Sequence, residues 1–151
     1  MLENSAHKDQ VLRLLGQYQL LEFSLKLYIS TAYSIVKHAL NETIPFDYGY
    51  QYIDKFSLGK LVREFARLNE NAVLMSKLKS IESHRNHVAH RAMVEQHEII
   101  RDVLNLNTKR NIVDLHLAEM EIDECLIQIA AELEQIIRKL DDYEKKVEVT
   151  K

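Results

Sequence analysis

The 151-residue chain is 46% hydrophobic and 28% charged, near globular averages, which argues against disorder and suits one domain with a full core. Three glycines and one proline leave little turn chemistry, so hairpins are disfavoured and long helices on short connections are expected. The single cysteine, Cys125, excludes an intrachain disulfide and a cysteine zinc site, and the net charge of −3 argues against a broad grip on nucleic acid.

The N-terminal "MLENSAHKDQVLRLL" lacks a basic region followed by an apolar core, which predicts no signal peptide. No window approaches the roughly 18 apolar residues a membrane span needs, so the expectation is a cytoplasmic protein with no membrane partner. The first element is a long helix: Leu14, Tyr18, Leu21, Leu25, Tyr28, Ala32, Ile35 and Ala39 follow a 4-3 spacing that stacks them on one face. Glu22 shares a heptad stripe with Leu15, Ile29 and Val36, where an apolar residue belongs. A carboxylate there is either simply part-exposed at the stripe's edge or is paired, at a subunit boundary or in a cleft.

"NETIPFDYGYQ" (41–51) holds the only proline and reads as the main loop. Its tyrosines, in "FDYGYQY" (46–52), can stack bases; packing on the bundle is the commoner role, and the segment is left out of the site. Ser57 caps a helix through "LGKLVREFARL", in which Gly59 is tolerable near the N-terminal end. "NEN" (69–71) breaks that helix, and another begins after Asn71 with Leu74, Leu78, Ile81 and Val88 on its apolar face. "EIIRDVL" reads as helical and "NLNTKRN" as a polar loop. The last helix repeats the 4-3 pattern at Ile122, Leu126, Ile129, Leu133, Ile136, Leu140, Tyr143 and Val147, and Ile127, Ile137 and Ala130 widen the stripe beyond a coiled-coil seam. Two helices of about 45 Å can then pair along their length. The fold class is all-α, an antiparallel bundle of four main helices plus a short helix, in one domain over 1–151.

"HRNHVAHR" (84–91) puts three histidines and two arginines into eight positions. His84, His87 and His90 span about 120° of helix, and three ligands from one helix rarely converge on a tetrahedral ion, so no metal site and no cofactor are expected. A solvated helix face is the plain alternative. A third reading pairs Arg85 with His90, about 140° and 7.5 Å apart on the helix, so both can edge a cleft completed by a second surface. Arginine offers a forked cation for phosphate oxygens and histidine a proton donor or acceptor near neutrality, which are the two needs of RNA phosphodiester cleavage. Between Lys77 and Arg91, four cations stand against Glu82 alone, so local basicity exists within an acidic chain.

"RNHVAH" (85–90) resembles the Arg-x4-His signature of HEPN domains, including the polar residue after the arginine, here Asn86. The position late in a helix, the single all-α domain and "FSLGKLVREF" upstream are similar to that family too. The resemblance implies a homodimer whose two motifs face each other and form one composite, metal-independent endoribonuclease site. Such proteins serve as toxins or phage-defence components, often with an antitoxin protein as partner. Carried over, Arg85 would hold the scissile phosphate, His90 would act as general acid or base, and Asn86 would orient phosphate or His90. His87 and Glu22 stand as auxiliary candidates, with His84 and Arg91 as electrostatic support. Members paired with a nucleotidyltransferase antitoxin carry a tyrosine two residues after the histidine. Ala92 stands there, which removes that mode of regulation. The alternative is a non-catalytic helical module that binds RNA or another protein.

Overall fold

The computed structural model describes residues 2–95 and 115–151, with side chains for 5–90 and 115–151. Five helices are described: α1 (Leu2–Leu40), α2 (Tyr50–Ile53), α3 (Leu58–Leu68), α4 (Ala72–Glu95) and α5 (Leu115–Val149). No strand occurs among the described residues, and no helix among them is long and apolar enough to cross a membrane. The expected "EIIRDVL" helix and "NLNTKRN" loop, and the side chains of Arg91 and Ala92, lie outside the described residues. The proline-bearing connection is a loop over most of its length, but its last tyrosines wind into the single turn of α2.

At 39 and 35 residues, α1 and α5 reach about 58 and 52 Å, longer than expected. Their contacts advance together along both chains. Arg13 meets Glu119 at 3.4 Å, Gln17 meets Asp123, and His38 meets Glu144 at 3.8 Å. The two long helices therefore run parallel to each other within the expected all-α bundle, whose antiparallel relation is to the helix between them in the chain. That relation holds for α4 against both: Glu22 pairs with Arg85, and Lys77 and His84 pair with Glu124 and Glu121. A chain that goes out on α1 and returns on α4 must go out again on α5.

The buried stripe of α1 includes Leu14, Tyr18, Leu21, Leu25, Tyr28 and Ala32, as its period requires; Ile35 is half-buried and Ala39 is exposed where the bundle thins. From α5 come Ile122, Cys125, Ile129 and Ile136, with Leu126 and Leu133 packed at the margin. Ile127, Ile137 and Ala130 do not widen that stripe: all three are exposed, Ile127 at 72%. Ile127 lies opposite the buried stripe of α5, while Ala130 and Ile137 lie on its flank. Phe65 and Leu61 of α3 and Leu74, Leu78 and Ile81 of α4 complete the core.

Capping fixes the helix boundaries. Ser57 Oγ accepts from Lys60 N–H at 3.4 Å, and Asn71 Oδ1 accepts from Leu74 N–H at 3.1 Å, each supplying an orphan donor of a first turn. Asn41 (φ 46°) and Glu42 (φ 62°) leave the right-handed region and end α1. "NEN" is also a clamp. Asn69 Nδ2 donates to Glu132 of α5 (2.9 Å) and to Tyr28 of α1 (3.0 Å), and Asn71 Nδ2 donates to the other Glu132 oxygen (3.1 Å). The breaker between α3 and α4 is thereby tied to both long helices.

Candidate functional site

The candidate residues sit on the C-terminal half of α4. Leu74, Leu78, Ile81 and Val88 are all at most 1% exposed, which sets the rotation of this helix. At 100° per residue that rotation leaves Arg85 beside the buried face and turns Asn86, His87 and His90 toward solvent. Arg85 is half-buried, and the other three are exposed.

Arg85 reaches α1. Its Nη2 lies 3.5 Å from Glu22 Oε1, with the two side chains 41% and 23% exposed. The apolar break in the α1 stripe is therefore a paired carboxylate that is also part-buried. An ion pair this exposed contributes at most about 1 kcal/mol, so its consequence is the direction of the guanidinium more than stability. Arginine's stem can run along the core edge while the charged fork stays wet, where an oxyanion can reach it.

His90, Asn86 and His87 make no hydrogen bond or ion pair among the described residues. Among the described residues none engages His90, and Arg85 and His90 point about 140° apart. One copy brings Arg85 and Glu22 together and does not bring His90 to them. A cleft holding both groups needs a second surface.

His84 is on a third side of α4. Its Nδ1 lies 3.0 Å from Glu121 Oε2 of α5, so it links two helices. Glu121 also faces Tyr18, whose phenol is pushed up to about 12 by burial and then by that carboxylate, so Tyr18 stays protonated and offers no base. No group of three His, Cys, Asp or Glu side chains among the described residues is gathered to hold a metal.

Several neighbours of the site escaped the sequence reading. Lys26, one turn beyond Glu22, donates to the Asp54 carbonyl, and its Nζ lies 3.7 Å from the Asp54 carboxylate. Glu82, one turn before Arg85, rests its carboxylate on Gly59 in the first turn of α3, where the helix dipole favours an anion. A Cβ at Gly59 would displace that carboxylate, the flexible end of its side chain, and would meet no backbone. The signal for Glu22 was a charge in an apolar stripe. Lys26, Glu82 and His84 break no such pattern, and their partners lie 23 to 37 residues away in sequence. No protein-family model, no curated protein and no solved structure matches the chain.

Proposed function

We propose that the protein is a metal-independent endoribonuclease whose site is completed at a homodimer interface, with Arg85 and His90 as its catalytic pair. The observation that carries the reading is the placement of Arg85: a forked cation aimed from the core edge by Glu22, one and a half turns from an exposed histidine that no described residue engages. Asn86, on the exposed face between them, is placed to bond a phosphate oxygen or the imidazole.

In this mechanism His90 takes the proton of a ribose 2′-hydroxyl as the 2′-oxygen bonds to phosphorus. The bond from phosphorus to the 5′-oxygen breaks, that oxygen takes a proton from solvent, and the other copy's Arg85 offsets the charge that builds on the non-bridging oxygens. The products are a 2′,3′-cyclic phosphate and a 5′-hydroxyl. A nuclease of this kind fits a toxin or phage-defence role in the cytoplasm, held in check by an antitoxin protein.

The test is incubation with single-stranded RNA in EDTA, beside Arg85→Ala and His90→Ala. Cleavage by the wild type that leaves cyclic phosphate ends and is lost in both variants supports the reading; equal background in all three refutes it. The second reading, a non-catalytic RNA-binding or protein-interaction module, draws on the same ion pair, because within one chain Glu22 already occupies Arg85. It predicts a stable partner and no effect of His90→Ala on that binding.

A further inference from the structure

The Arg85–His90 reading makes no use of the tyrosine-rich connection. Tyr33 of α1, Phe46, Tyr48, Tyr52 of α2 and Phe56 form one continuous ring cluster. Successive centroids lie 5.1 Å (Phe46–Tyr48), 4.9 Å (Tyr48–Tyr52) and 5.3 Å (Tyr52–Phe56) apart, with interplanar angles of 59° to 81°. Tyr33 is the buried base, 6% exposed, and its hydroxyl donates to Glu64. Tyr48 and Tyr52 are 50% and 51% exposed. Tyr48 and Tyr52 thus pack against one buried ring, Tyr33, and two half-buried ones, Phe46 and Phe56, and present aromatic surface to solvent.

Charge selects the occupant. Lys60 Nζ lies 5.5 Å from the Phe56 centroid; Lys55 precedes Phe56 in the chain, and Arg63 lies one turn beyond Lys60 beside Gly59, all three exposed and without an ion pair among the described residues. Over residues 46–64 the acids Asp54 and Glu64 are engaged, by Lys26 and by Tyr33 with Arg67, which leaves Asp47 as the one acid of that segment not engaged by a described residue, against three cations. Aromatic faces among unengaged cations fit a polyanion with unpaired bases better than an apolar protein surface.

Position links the cluster to the site. Tyr33 is eleven residues beyond Glu22 on α1, about 16 Å. That is a handful of nucleotides at about 3.4 Å each. Between them lie the Lys26–Asp54 and Glu82–Gly59 contacts, so the surface is continuous.

We infer that Tyr48 and Tyr52 form a base-stacking subsite for single-stranded RNA, holding bases that flank the phosphate presented to Arg85. The placement relative to cleavage rests on the nuclease reading; the subsite itself does not. Anisotropy of a labelled 2′-O-methyl RNA of about ten nucleotides, which cannot be cleaved through its 2′-oxygen, reads binding alone. Tyr48→Ala/Tyr52→Ala should weaken binding on the order of tenfold per ring, and Tyr48→Phe/Tyr52→Phe should bind as the wild type. Lys60→Glu, on an exposed side chain, should weaken binding and flatten its salt dependence. Wild-type affinity in the alanine pair, or no binding by the wild type, overturns the subsite; in the first case the patch is left to a protein partner. Ring-dependent binding without cleavage of ordinary RNA keeps the subsite and removes the nuclease. Cleavage of long RNA untouched by the alanine pair does the reverse.

Discussion

Replacing Glu132 by alanine tests the clamp that joins α3 and α4 to the long helices. The carboxylate accepts from Asn69 at 2.9 Å and from Asn71 at 3.1 Å, and Asn69 is further bound to Tyr28, whose hydroxyl donates to the Leu68 carbonyl at 3.3 Å. A hydrogen bond to a charged group contributes about 1.5–3 kcal/mol when dry. Glu132 is half-buried, so each bond belongs at or below the low end, and Glu132→Ala should cost about 2–3 kcal/mol in all. For a chain of this size that is roughly 5–10 °C in Tm. Glu132→Gln keeps one carbonyl acceptor but points an amide at a donor, and should lose about half as much. Urea and thermal unfolding of the three proteins read these differences. A change under about 0.5 kcal/mol in Glu132→Ala would show that solvent satisfies the asparagines equally well and that the clamp is not a structural tie.

Three further expectations follow from the packing. Burial pushes the Cys125 thiol up to about 11, so it should resist a disulfide reagent in the native protein at neutral pH and react promptly in urea; rapid native labelling would contradict its burial. The unfolded chain sheds the Cys125 and Tyr18 protons near 9 and 10, and the folded chain holds them to about 11 and 12. Above about pH 9 the unfolded state therefore binds fewer protons, and stability should be full below that pH and fall as pH rises, by up to about 1.4 kcal/mol per unit for each group. The Tyr28 and Tyr33 phenols, also raised chiefly by burial, act in the same direction, and a flat urea midpoint up to about pH 11 would refute this. Glu22→Ala should move Tm by less than about 3 °C yet lower RNA cleavage several-fold, because Arg85 loses its orienting partner; unchanged cleavage would show that Arg85 is aimed without it.

The helices of this fold were legible because their signals are local. The 4-3 spacing of α1, the Ser57 cap and the break at Asn69–Asn71 each act within a turn or two of chain. Glu22 was legible for the same reason, as one charge in an apolar stripe. Periodicity could not say how far round α5 its neighbours extend, so Ile127 and Ile137 were expected in a stripe that in fact leaves them exposed. Nor does it carry helix direction, and the parallel run of α1 and α5 follows from the order in which the chain returns. In the candidate site, the motif residues were named from sequence, but their division was not: Arg85 is turned in toward α1, while Asn86, His87 and His90 face out. The ties through Lys26, Glu82 and His84, and the convergence of Tyr33 with Tyr48 and Tyr52, depend on side chains 15 to 37 residues apart.

That division supplies the most direct test. Arg85 and His90 of one copy point about 140° apart, so an arginine and a histidine that serve one phosphate come from different copies. Arg85→Ala and His90→Ala chains, refolded together and exchanged into mixed dimers, then contain one intact pair per mixed dimer. The account predicts that neither variant cleaves RNA in EDTA alone and that the equal mixture regains roughly a quarter of wild-type activity, half the dimers having one of the two Arg–His pairs of the composite cleft. Mixed dimers isolated through two different tags that remain as inactive as either parent would contradict it.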